Sequence, residues 1–269
     1  MYMTPKELFC SLQIMNGRHE RKLWSMRNIR LDICYDGTKY KGWQRLSGSE
    51  NTVQGKLEAV LSRLLCEPIE VCGSGRTDSG THAKGQVANF HCNSGMPCTE
   101  ILSGLRMYLP EDIGVYSCKD VSQRFHARLN AKEKTYCYRL WNTDAPCVFE
   151  RRYVYKDTRA FDLEAMQKGA QYYIGTHDFS AFSANKHMKK STVRSIRYFQ
   201  VEKVGNEIVF TVTGNGFLQH MVRIMVGTLL EVGIGERTPE NIVDLFGAPR
   251  ELSGGVVPAC GLCLMEVIY

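Results

Sequence analysis

The sequence predicts an α+β fold made of two β-α-β-β-α-β halves. Three observations carry this: strands and helices alternate in the same order twice along 269 residues, the composition is 43% hydrophobic and 23% charged, and no apolar run reaches membrane-spanning length. A bilayer span needs about 18 apolar residues, and the N-terminal MYMTPKELFCSLQIMNG has no signal-peptide layout, which places the chain in the cytoplasm with no membrane partner.

In the first half, NIRLDICY (Asn28 to Tyr35) alternates apolar and polar residues and predicts a strand. After the loop DGTKYKGWQRLSGS comes NTVQGKLEAVLSRLLC, where Val53, Leu57, Val60, Leu61, Leu64 and Leu65 share one helical stripe. Strands are expected at Ile69 to Cys72 and Gly85 to His91. A helix follows from Thr99 to Leu109, stopped by Pro110, and then a strand from Ile113 to Val121. The second half repeats the order: strand EKTYCYRLWN, helix FDLEAMQKGAQYYIG, strands at Thr192 to Val204 and Glu207 to Thr213, and a helix from Phe217 to about Gly233. A short helix, TPENIVDLF, precedes a closing strand from Val256 to Ile268.

Each half therefore has the ferredoxin-like element order, and two such halves can join their antiparallel sheets into one extended sheet with helices on one face. The expected boundaries are an N-terminal extension at residues 1–26 and subdomains at residues 27–124 and 125–269. The helix-free face is expected to line a central cleft.

Eleven cysteines scattered through apolar segments behave as small hydrophobes in a reducing compartment. The pair Cys260 and Cys263 lies in an alternating segment that would point the sulfurs to opposite faces, so no metal is expected there. The histidines show no H-x-x-x-H. The net charge of +6 favours an anionic partner. Basic residues gather in ANKHMKKSTVRSIR, where Lys186, Lys189 and Lys190 are candidate phosphate contacts, and in RFHARLNAKEKTYCYR, interleaved with aromatics. Cations beside rings suit unpaired RNA, because charge neutralises phosphate while rings stack on bases.

The segment GSGRTDSGTHAKGQVANF (Gly73 to Phe90) isolates Asp78 between an arginine and a Ser-Gly pair. It has neither the G-K-[ST] ending of a phosphate loop nor the dinucleotide glycine spacing. A turn-capping aspartate is the plain alternative. In GNGFLQHMVRIMVGTLL, however, Arg223 sits in a helix that is apolar nearly all round, and a guanidinium drawn into such surroundings needs a carboxylate. Asp78, in what the repeat makes the matching region of the first half, is the candidate partner.

Taken together, GSGRTDSGTHAKGQVANF, RFHARLNAKEKTYCYRLWN, GTHDFSAF, GNGFLQHMVRIMVG and the closing PACGLCL resemble the motif set of the tRNA pseudouridine synthase A (bacterial TruA) family, over Asn28 to Tyr269. The resemblance implies an isomerase that converts uridine to pseudouridine at positions 38, 39 and 40 of the tRNA anticodon stem-loop, as a homodimer needing no cofactor and no metal. It places the essential aspartate at Asp78, the active-site tyrosine at Tyr136 and the active-site arginine at Arg223. Arg76 matches an arginine that helps hold the target nucleotide flipped out, and Arg128 lies in the second motif as a substrate contact. His126 and His177 read as hydrogen-bonded scaffold. Ser79 and Thr81 stand where the family more often has alanine and valine. Two alternatives keep the fold but change the function: a synthase with another RNA target, and a non-catalytic RNA-binding protein, against which stands the lack of an aromatic series in KGQVANF.

Overall fold

The computed structural model describes residues 26–49, 51–185 and 191–269. The first half runs β1 (Arg27–Tyr35), α1 (Val53–Leu65), β2 (Val71–Gly73), β3 (His82–Cys92), α2 (Cys98–Tyr108) and β4 (Ile113–Val121). In the second half come β5 (Glu133–Trp141), a two-residue strand β6 (Tyr155–Lys156), α3 (Leu163–Tyr172), β7 (Gly175–Asp178), β8 (Val193–Val204), β9 (Glu207–Gly214), α4 (Met221–Gly233) and β10 (Leu262–Ile268).

Local chemistry sets several of these ends. Thr52 caps α1 by accepting from the Gly55 N–H at 3.2 Å, and Asp162 caps α3 through the Ala165 N–H at 2.9 Å. Leu109, the residue before Pro110, is extended and closes α2.

The strands form one sheet in the order β4-β1-β3-β10-β5-β9-β8-β7, with β2 on β3 and β6 on β5. Both halves thus show the same spatial order, fourth-first-third-second. They meet where β10 lies parallel to β3, through Cys263 opposite His82 and Leu264 opposite Ala83; β10 then pairs antiparallel with β5. The third strand of one half therefore abuts the fourth strand of the other.

Facing residues can be followed across this seam: Tyr35 pairs with Ala83, Ala83 with Leu264, and Leu264 with Tyr136. Opposed residues point to the same side of a sheet. Tyr35 continues the row of Ile29, Leu31 and Ile33, and Tyr136 that of Tyr138 and Leu140, all buried beneath helices. Both helix pairs consequently lie on one face, as expected.

Four expectations need correction. The cleft lies on the helix-bearing face, in the trough between the helix pairs, because Tyr136 at its floor points that way. The opposite face of the first half is instead covered by residues 122–130. There the buried Asn28 donates to the Ser122 and Phe125 carbonyls at 2.9 and 2.8 Å, Asn89 accepts from the Ala127 N–H at 2.8 Å, and the Arg30 guanidinium stands 4.8 Å from the Tyr269 ring centroid. Asp78 and Arg223 are not topological equivalents: one precedes the third strand of its half, the other rides on the second helix of its own. Residues 256–261 are not strand but loop and a 3-10 turn, so Cys260 precedes the strand that carries Cys263. Helix α4 starts at Met221, four residues later than expected, because His220 adopts φ 60° and ends the preceding turn. The segment TPENIVDLF is a 3-10 helix, Pro239–Leu245. The 1–26 extension, except Met26, lies outside the described residues.

Leu264 is fully buried at the seam, whereas Cys263 beside it faces the other way. Leu264→Ala is expected to lower stability by about 2–5 kcal/mol in urea denaturation, and Cys263→Ala by less than about 1 kcal/mol.

Candidate active site

Asp78 sits at the tip of the loop between β2 and β3, and that loop is fastened from two sides. Beneath it, Gln86 of β3 accepts from the Ser74 hydroxyl at 2.6 Å and donates to the Gly75 carbonyl at 3.1 Å, while the Tyr35 and Thr77 hydroxyls share a hydrogen bond of 2.8 Å. From the flank, the Trp43 N–H donates to the Thr77 carbonyl at 3.1 Å, and the Ser79 hydroxyl and Gly80 N–H donate to the Tyr40 carbonyl. The contact is so close that a side chain at Gly42 would put its Cβ 2.6 Å from the Thr77 carbonyl oxygen, and Gly42 also holds a φ of +92°. A Cβ at Gly37 would come within 2.0 Å of the Thr81 carbonyl oxygen. The glycines of DGTKYKG therefore serve the Asp78 loop, a role the sequence reading left unassigned.

Arg223 reaches the same point from α4. Its Nη1 lies 3.1 Å from Asp78 Oδ2, and its Nε donates to the Val257 carbonyl at 2.7 Å. The side chains are 13% and 26% exposed, so the guanidinium is shielded while the carboxylate still opens to the cleft. The helix is held against the 254–257 strap by near-contact of backbones: a Cβ on Gly227 would lie 2.0 Å from the Gly255 carbonyl oxygen. On the strap side Gly254, whose Cβ would lie 2.6 Å from the Thr228 backbone nitrogen, is what lets α4 settle at that depth.

A second residue grips Asp78 that sequence reasoning missed. His220 Nε2 is 3.4 Å from Asp78 Oδ1, so each carboxylate oxygen has its own neighbour. Burial, with the Arg223 and Arg250 guanidiniums, holds the imidazole below the usual histidine range despite the opposing pull of Asp78. The neutral imidazole is therefore favoured over the charged one. Its left-handed backbone, one of two such non-glycine residues among those described, was the signal that no sequence pattern carries.

Tyr136 is nearly buried on the cleft floor, edge-on to Phe217 with centroids 5.2 Å apart. Burial, reinforced by Tyr35 and Asp78, raises its phenol well above the usual range, so it keeps its proton. Tyr138, two residues on, points into the core and donates to the Pro258 carbonyl at 2.9 Å. Phe125 packs on Tyr269. The aromatics interleaved with basic residues in this run are thus mostly structural, and Tyr136 is the one that lines the cleft.

The cleft encloses about 750 Å³, within the range of small-molecule and nucleotide sites. Lys41, Arg76, Arg128, Lys134 and Arg194 line it, and Asp78 is the one acid among the described lining residues. None of the five cations makes an ion pair among the described residues. Arg76, exposed at the rim, donates to the Gln44 side chain at 3.1 Å; Arg194 donates to backbone carbonyls. Lys186, Lys189 and Lys190 lie outside the described residues. His126 accepts from the backbone N–H groups of Arg128 and Leu129, and His177 stacks on Phe246 at 4.1 Å, so both are scaffold as read from the sequence.

Two stability predictions come from this geometry. Gly42→Ala is expected to cost about 1–3 kcal/mol and to raise amide exchange in the Asp78 loop, whereas Gly48→Ala, with a similar φ but open surroundings, costs about 1 kcal/mol or less; urea denaturation and hydrogen exchange check both. Burial, then the neighbouring Arg128, push Lys134 from 10.5 down to about 8. Between those pH values the unfolded chain holds this proton and the folded chain does not, so this group's contribution to stability rises with pH across the window; its full cost is present below about 8. The wild type is expected to gain on Lys134→Met by up to roughly 3 kcal/mol between pH 7.5 and 10, read as the difference of their urea unfolding curves.

Comparison with known proteins agrees with the geometry. A family model described as tRNA pseudouridine synthase matches residues 33–130 and 170–269, a span that holds Asp78 and Arg223 but skips the stretch with Lys134 and Tyr136. Across that stretch the likeness is carried by full-length relatives. A tRNA pseudouridine synthase A of Bacillus sp. (strain KSM-64) is 45% identical over 244 residues, 91% of this chain and 100% of that protein. A tRNA pseudouridine synthase A 1 of Clostridium tetani (strain Massachusetts / E88) is 44% identical over 245 residues with the same coverage. A tRNA pseudouridine synthase A 2 of Clostridium perfringens (strain 13 / Type A) is 43% identical over 245 residues. With a lone carboxylate gripped in a cationic cleft and relatives matched from end to end, the chain belongs to the tRNA pseudouridine synthase family.

Proposed function

We propose that this protein isomerises uridine to pseudouridine in the anticodon stem-loop of tRNA, at positions 38, 39 and 40, with Asp78 as the catalytic carboxylate. The observation that carries the reading is the composition of the cleft: one acid, held by Arg223 and His220, among five cations without carboxylate partners. Such a surface attracts phosphate and presents a single reactive group.

The reaction breaks the bond from ribose C1′ to uracil N1, turns the base, and forms a bond from C1′ to C5. The C5 proton leaves and N1 gains one, so nothing is oxidised and no group is transferred out. Attack on the sugar or base, or removal of a ribose proton, each asks for a carboxylate, and Asp78 is the one that lines the cleft. Arg223 orients it and stabilises its charge. Tyr136 offers a ring for stacking on the uracil and a hydroxyl on the cleft floor that helps the C5 proton leave. To reach this floor the uridine leaves the helical stack, a cost of a few kcal/mol that a loop or stem end reduces. Arg76, at the rim, is placed to fill the space the base vacates, and Arg128 meets the backbone.

The reading includes a cytoplasmic homodimer with RNA lying across both protomers, in which residues 27–124 and 125–269 act as two subdomains. Sedimentation of the protein alone and with tRNA tests the dimer.

Tritium release from C5-tritiated uridine in tRNA transcripts tests the activity. Wild type is expected to release it. Asp78→Asn abolishes release while changing the Kd for tRNA by less than about threefold, and Arg223→Lys lowers kcat by on the order of 10²-fold. No release by the wild type on any tRNA would leave a binding protein, and release with modified positions elsewhere would identify a different RNA target.

A further inference from the structure

Lys134 is a charge that the chemistry at Asp78 does not use. It projects from the start of β5 onto the cleft face, and its ammonium donates to the Ser74 carbonyl at 2.7 Å. It makes no other hydrogen bond or ion pair among the described residues. Arg128 stands beside it, also without an ion pair among the described residues, and lines the same wall. Partly buried cations outside the cleft are treated differently: Arg139 is held by Glu207 and Glu150, and Arg27 by Asp120. The partly buried Lys134 ammonium feels the charge of the exposed Arg128 beside it, a repulsion that an anion joining the two would remove.

Backbone lies close against the ammonium: the Ser74 carbonyl accepts from it, and a Cβ at Gly75 would lie 2.9 Å from Lys134 Nζ. The backbone bearing Arg128 is fastened to the sheet through Ala127, whose N–H donates to the buried Asn89, and through His126, which accepts from Arg128's own N–H. Behind the wall lies a second cavity of about 570 Å³ that shares Gly75, Arg76 and Arg128 with the first and is lined further by Trp43 and His126. The two chambers therefore meet at Arg128 and its neighbours Gly75 and Arg76, with Lys134 on the side of the first chamber.

We infer that Lys134 and Arg128 together bind one phosphodiester of the RNA, the linkage between the nucleotide over Asp78 and a neighbour lodged in the second chamber. The inference rests on the reading of the substrate as RNA. A phosphate supplies acceptors for the ammonium's remaining N–H groups, meets the planar guanidinium, and removes the repulsion between the two cations.

Binding by the Asp78→Asn protein, which holds substrate without turnover, tests this with two probes: an anticodon stem-loop and single-stranded oligouridylate. Adding Lys134→Met or Arg128→Gln is expected to reduce the slope of log K against log salt by about 0.7 each, and Lys134→Arg to keep it. A stem-loop with one neutral methylphosphonate beside the target uridine, on one of its two sides, is expected to bind about tenfold more weakly, but less than about twofold more weakly once either cation is removed. Unchanged salt slopes, or equal methylphosphonate penalties with and without the cations at both positions, would overturn the site. Arg128 is exposed, so Arg128→Gln carries the test even where Lys134→Met folds poorly. Tritium release by the wild type on the same stem-loop reports separately on the activity, and the oligouridylate slopes decide the anion site even where that release is absent.

Discussion

The contact between Asp78 and Arg223 joins residues 145 apart in the chain and ties a loop of the first half to a helix of the second. Breaking a fully buried pair costs about 3–5 kcal/mol. With Asp78 about one-quarter exposed the cost here is smaller, and the pair matters more for aim than for stability. Aim, in turn, depends on how few backbone pairs join the halves. The parallel register of β3 and β10 has only two, so the loop, the strap and the glycines that let them approach must hold what the sheet itself does not.

Two close approaches do that work. Gly42 lets the 37–43 loop press on Thr77, and Gly227 and Gly254 let α4 sink onto the strap that bonds Arg223. Each removes a side chain where two backbones must touch. A carboxylate in an open loop would sample many positions; around Asp78, Gln86, Tyr35, Trp43 and Tyr40 leave the loop's peptide groups few alternatives. The cost of ordering such a loop is met by hydrogen bonds to residues that are themselves buried.

Charge is distributed in two modes. Outside the cleft, several partly buried or exposed arginines are paired with acids, as at Arg139 with Glu207 and Arg159 with Asp157. Among the described residues the cleft cations make no ion pairs and the one lining acid is already engaged, so positive charge is concentrated there. The modest overall charge of +6 hides this contrast.

The sequence by itself determined the element order and the duplicated halves, because periodicity and capping are local properties that survive in one dimension, whereas Tyr136 was singled out only by the likeness of its motif to a known family. It also foresaw that Arg223 would need Asp78, since an arginine in those surroundings has few solutions. It missed β6 and β7, which are short and lack alternation, and it read residues 256–261 as strand because apolar residues continue past the point where the chain turns. The side of the sheet that carries the cleft, the left-handed His220 beside Asp78, the diversion of Phe125 and Tyr138 into packing, and the meeting of Lys134 with Arg128 were decided only in three dimensions. The physical reason is the same in each case: these features depend on which strand of one half lies against which strand of the other, and that pairing is set by contacts between residues far apart in the chain.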